Sequence, residues 1–149
     1  MSLEKQIMEQ LKVAMKSKNT VALQALRAVK SAIILAKTEG GANGELSEEQ
    51  ELKILQKQVK QRKDSATLFM NQGRKDLADP ELEEATIIEQ FLPEALTEEE
   101  IEGVVITTID DLGASGMRDM GKVMGVVSKE LAGQADGKTI SAFVRKHLM

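Results

Sequence analysis

Apolar residues recur at every third or fourth position along almost the whole chain, and that period belongs to helices. Leu3, Ile7, Leu11 and Met15, with Met8 and Ala14 beside them, predict a first helix from about Ser2 to Ser17, with Ser2 as its N-cap. Asn19 and Thr20 interrupt the pattern. Ala22, Ala25, Leu26, Val29, Ala32, Ile33 and Ala36 then predict a second helix to about Glu39, whose alanines permit close approach of a neighbour. Arg27, Lys30 and Lys37 fall on its other side. Gly40, Gly41, Asn43 and Gly44 end it in a loop.

Ser47-Glu48-Glu49-Gln50 reads as a capping box, in which the serine hydroxyl takes an orphan amide and Gln50 reaches back. Helical spacing then runs to about Asn71, along a seam of Leu52, Leu55, Val59, Arg62, Ala66 and Phe69, and Gly73 closes it. Arg74 to Ala78 reads as a polar link, and Asp79-Pro80 as the start of the next helix. Leu82, Ala85, Thr86, Ile87, Ile88 and Phe91 make the apolar side of that helix. Leu92-Pro93 ends it, because a residue before proline is pushed out of the α region.

A second capping box, Thr97-Glu98-Glu99-Glu100, opens a helix with Ile101, Val104, Val105, Thr108, Ile109 and Leu112 apolar, stopped by Gly113. Val104 to Ile109 would suit a strand, but it sits inside this capped, helically periodic segment. Asp119 is placed to cap a helix from Met120 to Leu131, Asp136-Gly137 to make a turn, and Lys138 to His147 to form the last helix. The fold class is therefore all-α: an N-terminal antiparallel helical domain over residues 1–92, followed by a small three-helix C-terminal domain over residues 93–149.

Composition narrows the chemistry. Aromatics make up only 2%, so Leu, Ile, Val, Ala and eight Met must build the core. There is no Cys and one His, which excludes thiolate chemistry and Cys-ligated zinc and leaves no His relay or His-based metal site. A net charge of −4 does not suit a general nucleic-acid coat protein. The start, MSLEKQIMEQ, lacks the apolar core of a signal peptide, and no run has the length of a membrane span. The expectation is a soluble cytoplasmic protein, monomeric, with no cofactor and no metal.

Four charged constellations carry the functional question. Lys53, Lys57 and Lys60 share a helix face, with Arg62 and Lys63 extending the run. That face suits RNA or an acidic partner, or is a solvated exterior paired with the acidic first helix or with Glu48 and Glu49. Arg62, on the apolar seam, either snorkels between helices or pairs with a buried carboxylate. Glu98, Glu99 and Glu100 are consecutive and diverge around their helix, so they suit its N-terminal dipole rather than a metal. Ser128 and Lys129 are adjacent and do not face each other, and no phosphate-loop motif occurs. No catalytic constellation emerges.

The fourth is Gly116 to Gly137, GMRDMGKVMGVVSKELAGQADG. Arg118, Lys122, Gly125 and Lys129 are spaced four, three and four, and so share one face, opposite Met120, Val123, Met124, Val127 and Leu131. Gly121 and Gly125 each cost about 1 kcal/mol against Ala inside a helix. Their return is close approach, either to a packed helix or to a phosphate backbone. The last helix adds Lys138, Arg145 and Lys146.

Residues 115–137, above all D-M-G-K-V-M-G and A-D-G-K, resemble the signature of the YqeY family. Lys60-Gln61-Arg62-Lys63-Asp64-Ser65, the Gly73-Arg74-x-Asp76-Leu77 link, and Phe91-Leu92-Pro93 with Leu96-Thr97-Glu98-Glu99-Glu100 fit the same family, so the resemblance covers essentially the whole chain. This GatB/YqeY group is similar to the C-terminal tail domain of the GatB component of the tRNA-dependent glutamyl/aspartyl amidotransferase. The resemblance implies an all-α protein whose tail-like domain faces RNA, because that tail reaches the tRNA elbow. Carried over to this chain, the implied RNA-facing positions are Arg118, Lys122, Gly125, Lys129 and Lys138, and the charge of the last helix adds Arg145. The family label also brings a carbon–nitrogen ligase with glutamine as amido-N-donor. This chain has no glutaminase Ser/Lys set and is too short for the large catalytic body of the GatB component. The expected partner is tRNA, with a translation-related protein as the alternative.

Overall fold

The computed structural model describes residues 2–39 and 44–149, and every regular element in them is helical. The expected loop glycines Gly40 and Gly41, with Asn43, lie outside the described residues. The chain falls into two compact units, Met1–Leu92 and Pro93–Met149.

In the first unit, α1 (Leu3–Ser17) and α2 (Thr20–Thr38) form a hairpin. Ser2 caps α1 through a hydrogen bond from the Lys5 amide, Lys18 takes a left-handed conformation, and the Asn19 side chain caps α2. Lys37 near the end of α2 pairs with Glu4 at the start of α1, so the two helices run antiparallel. Ser47 and Gln50 make the expected capping box on α3 (Glu48–Asn71), with bonds of 2.8 and 3.2 Å. Ile7, Leu11, Leu26, Val29, Ile33, Leu55, Val59, Ala85 and Ile88 are buried together as the core of the unit.

α4 (Lys75–Glu89) starts a full turn before the expected Asp79-Pro80 and carries Pro80 in its interior. Gly73 at φ 72° and a 2.8 Å bond from the Arg74 amide to the Phe69 carbonyl turn the chain sharply out of α3. Arg74 then forks onto Asp76 at 3.0 and 2.9 Å, and Asp76 lies in the first turn, where a carboxylate suits the helix dipole. Ala78, in the turn added before Pro80, is fully buried, and Pro80 removes one backbone bond of the helix. The inward stripe of α4 also differs from expectation. Leu82 and Thr86 are exposed, whereas Ala78, Ala85 and Ile88 are buried, and the helix is turned so that Glu84 meets Arg62 of α3.

In the second unit, the Thr97–Glu100 capping box opens α5 (Glu98–Leu112), and Gly113 ends it at φ 61°. Val104 to Ile109 is helical. Asp119 does not cap α6 (Met120–Glu130). It belongs to a 3-10 turn, Met117–Asp119, and its carboxylate accepts the Ser115 amide at 2.9 Å, closing the loop at Gly116. Asp136-Gly137 is not a free turn either. Asp136 is the N-cap of α7 (Gly137–Leu148), accepting from the Lys138 amide at 3.2 Å, and Gly137 is its first residue. Ile101, Val105, Val123, Val127, Leu131, Ile140, Val144 and Leu148 form this unit's core.

Candidate functional site

The burial pattern of α6 fixes its orientation. Val123 and Val127 are fully buried and Met120 and Met124 half-buried, so the helix presents Lys122, Gly125 and Lys129 on the opposite side, all exposed. A Cβ placed on Gly121 or Gly125 would meet nothing within 4 Å. Packing within the chain therefore does not account for these glycines. They leave bare backbone at Gly125, between Lys122 and Lys129, and at Gly121, just before Lys122.

Arg118 departs from the expected arrangement. The helix begins only at Met120, so Arg118 rides on the preceding 3-10 turn, exposed at its side rather than one helical step before Lys122. Lys138 and Arg145 lie seven residues apart on one exposed side of α7, flanking its buried Ile140, Val144 and Leu148. The candidate cations thus occupy three elements. Lys122, Gly125 and Lys129 share a face, Lys138 and Arg145 share a second, and Arg118 stands on the turn.

What unites them is lack of engagement. Among the described residues the side chains of Arg118, Lys122, Lys129, Lys138 and Arg145 hold no ion pair or hydrogen bond. Their neighbour Lys146 is taken: its Nζ donates to Glu102 Oε2 at 2.9 Å, and His147 Nε2 lies 2.9 Å from the same oxygen. Lys146 first, and then His147, hold the Glu102 carboxyl below its ordinary value of 4.5. Segregation along the chain explains the rest. Residues 93–112 carry Glu94, Glu98, Glu99, Glu100, Glu102, Asp110 and Asp111 with no basic residue, while 113–149 carry six basic and three acidic residues.

The other constellations resolve differently. In the basic face of α3, Lys53 pairs with Glu49 at 3.6 Å and Lys63 with Glu89 at 3.2 Å, while Lys57 and Lys60 are exposed and hold no side-chain ion pair or hydrogen bond among the described residues. Arg62 takes the buried-carboxylate option: its Nε lies 3.8 Å from Glu84 Oε1, with both side chains about seven-eighths buried. That distance is an ion pair but not a hydrogen bond, so Nε–H lacks an acceptor, while Nη1 donates to the carbonyl and side chain of Gln58. Burial pushes the Glu84 carboxyl up despite Arg62.

Periodicity did not reveal Glu51. It lines a cavity of about 370 Å³ with Ser2, Leu3, Gln6, Glu48, Leu52, Leu55 and Phe91. Burial, followed by Glu4 and Glu48, raises its carboxyl. A raised carboxylate in a cleft fits general acid–base chemistry only beside a reacting partner. No lysine or histidine lines this cavity, and the Ser2 hydroxyl is occupied as the α1 cap. Among the described residues no three His, Cys, Asp or Glu side chains converge as a metal site, and no helix is long and apolar enough to cross a membrane.

Comparison with known proteins gives relatives of two kinds. The chain is 32% identical over 139 residues to altered inheritance of mitochondria protein 41, mitochondrial, of Pyrenophora tritici-repentis, covering 91% of this chain and 75% of that protein. To the protein of the same name from Clavispora lusitaniae it is 35% identical over 124 residues, covering 81% and 69%. To the E-type component of the glutamyl-tRNA(Gln) amidotransferase of Thermococcus gammatolerans it is 39% identical over 79 residues, half of this chain but only 13% of that protein. The family model described as Yqey-like protein matches residues 4–148, and the chain belongs to that family.

Proposed function

We propose that this chain is a non-catalytic helical module that binds tRNA through its second unit, with Lys122, Gly125 and Lys129 of α6 as the central contact. Arg118, Lys138 and Arg145 extend it. The observation that carries this reading is the open backbone at Gly125 between two unengaged lysines, with Gly121 open beside it. A phosphodiester backbone needs cations for its charge and bare peptide surface for close approach, and α6 offers both on one side. The match to an amidotransferase component named for glutamyl-tRNA(Gln) supports the same partner. Because that match spans a small share of the larger protein, the ligase activity of such enzymes does not come with it. We place the protein in the cytoplasm, as a monomer working beside translation.

The test is a fluorescence titration with bulk tRNA at ~50 and ~200 mM salt. Affinity should fall steeply as salt rises and should drop about a hundredfold in the Lys122→Glu/Lys129→Glu protein. Absence of binding at low salt, or binding unchanged in that variant, defeats the reading. The alternative is a protein–protein adaptor with no RNA contact, favoured by the exposed apolar face of α1 and α2. A stoichiometric protein recovered after nuclease treatment, together with no tRNA binding at low salt, would support it.

A further inference from the structure

The α1–α2 hairpin presents a surface that RNA binding does not use. Ile7, Met8, Ile33 and Ile34 line a cavity of about 60 Å³ between the two helices, with Glu4 and Lys30 at its rim. Ile7 and Ile33 form its buried floor, while Met8 and Ile34 stand 40% and 51% exposed at its mouth. Met15, two turns along α1 from Met8 on the same side, is 53% exposed. Leu23 continues the stripe on α2, half-buried. Along the α2 side of this groove Leu23 and Ile34 stand about 17 Å, or three helical turns, apart at 1.5 Å per residue, with Arg27 and Lys30 on the same face between them. Methionines at its edge adapt their shape to an incoming apolar side chain.

The charges around this groove are one-sided. Arg27 and Lys30 stand between Leu23 and Ile34 on α2, and Lys12 between Met8 and Met15 on α1, all exposed and none ion-paired or hydrogen-bonded through its side chain among the described residues. α2 contains no carboxylate. Glu4, the acidic residue at the rim, is already neutralised by Lys37. A partner that filled the groove would bring its flanks against these cations. A basic flank would be repelled and a neutral one would leave them uncompensated.

We infer that the Met8–Met15–Ile34 groove of the α1–α2 hairpin is a docking site for an amphipathic helix of another protein, about three turns long, with an aliphatic stripe flanked by carboxylates. This is the helix-in-groove mode of recognition, in which aliphatic anchors at three-four spacing supply affinity and flanking charge selects the partner. The site lies in the first unit and shares no residue with the tRNA surface, so either can fail while the other stands.

The test uses the full chain, isotopically labelled, and three synthetic capped peptides of about four helical turns. One has a leucine stripe flanked by glutamates, the second has lysines in place of the glutamates, and the third keeps the glutamates but has serines in the stripe. The leucine–glutamate peptide should shift the methyl signals of Met8, Met15 and Ile34 and leave α6 and α7 unmoved. The lysine and serine peptides should bind about tenfold more weakly or worse. Arg27→Glu/Lys30→Glu should invert the preference between the two charged peptides. Met8→Ser/Ile34→Ser, at exposed positions that leave the core intact, should abolish binding. The inference falls if the leucine–glutamate peptide does not bind at millimolar concentration, binds no better than its lysine counterpart, or shifts residues away from the groove. It falls equally if the groove signals move with chain concentration alone, because the occupant is then a second copy.

Discussion

The cationic surfaces of the α1–α2 hairpin and of α6 differ in what lies between the charges. On the α1–α2 hairpin Lys12, Arg27 and Lys30 surround exposed Met8, Met15 and Ile34. On α6 Lys122 and Lys129 bracket Gly125, beside Gly121, with nothing within 4 Å of where a side chain would begin. Apolar side chains gain by losing water to another apolar surface, so the first suits a protein helix. Bare backbone gives no such gain, but it lets a charged polymer come close. Charge alone would have grouped the two surfaces together; the intervening residues separate them.

The largest effect should come from reversing charge on one surface and not the other. Lys122→Glu/Lys129→Glu should weaken tRNA binding by about a hundredfold, about 2.7 kcal/mol, and flatten its salt dependence. Arg27→Glu/Lys30→Glu reverses the same number of charges and should leave tRNA affinity within about a factor of two. If both pairs weaken tRNA binding alike, the two surfaces are one diffuse field and the comparison collapses.

Arg62 is a cation of a third kind, spent inside the fold. Arg62→Ala leaves Glu84 buried and unpaired and should cost about 2 kcal/mol in chemical denaturation of the first unit. Arg62→Met/Glu84→Leu removes both charges and should recover most of that loss. Neither should alter tRNA binding. The raised Glu84 carboxyl adds a pH signature: its contribution to stability is fully present below the ordinary value of 4.5 and is lost as pH rises through the raised value. Glu84→Gln should remove that part of the pH dependence.

The glycines allow a smaller and sharper test. Gly121→Ala and Gly125→Ala enter open space on a helix, so each should stabilise the second unit by about 1 kcal/mol in thermal unfolding. If the bare strip exists for a phosphate backbone, the same substitutions should lower tRNA affinity. Stability and binding would then move in opposite directions. A gain in stability with tRNA binding unchanged would remove the glycines from the interface and leave only the lysines.

Much of this architecture was legible in the sequence, because the signals were local. Ser47–Gln50 and Thr97–Glu100 form their capping boxes, and the three-four spacing found both cores. The errors arose where a local rule met a tertiary demand. Asp79-Pro80 reads as a helix start, yet Ala78 buries and Arg74 grips Asp76, so α4 begins a turn earlier. Asp119 reads as a cap, yet its carboxylate closes the Gly116 loop instead. On α6, spacing alone placed Lys122, Gly125 and Lys129 on one side, but it could not say whether the glycines faced a neighbour or open space. The α1–α2 groove was illegible for the same reason. Met8 and Met15 read as part of the inward stripe of α1, yet the structure leaves both exposed, and Ile34 lies off the inward stripe of α2; only the packing of the two helices brings Met8 and Ile34 to one cavity mouth.

The smallest effect concerns a pairing that keeps a basic residue of α7 away from partners. Glu102 on α5 holds Lys146 and His147, and both lower its carboxyl from 4.5. A depressed carboxylate contributes stability above its unfolded value and loses it as pH falls through the folded value. Amide exchange in the last turn of α7 should therefore be slower in the natural protein than in Glu102→Gln from neutral pH down to about 4.5. The difference should vanish at lower pH. Because the pair is exposed, it should be small and weakened by salt. The same substitution frees Lys146 beside Arg145 and should tighten tRNA binding slightly at neutral pH, making Lys146 resemble its unengaged neighbours. If tRNA affinity stays fixed while amide exchange changes, Lys146 is structural in both states, and the basic surface ends at Arg145.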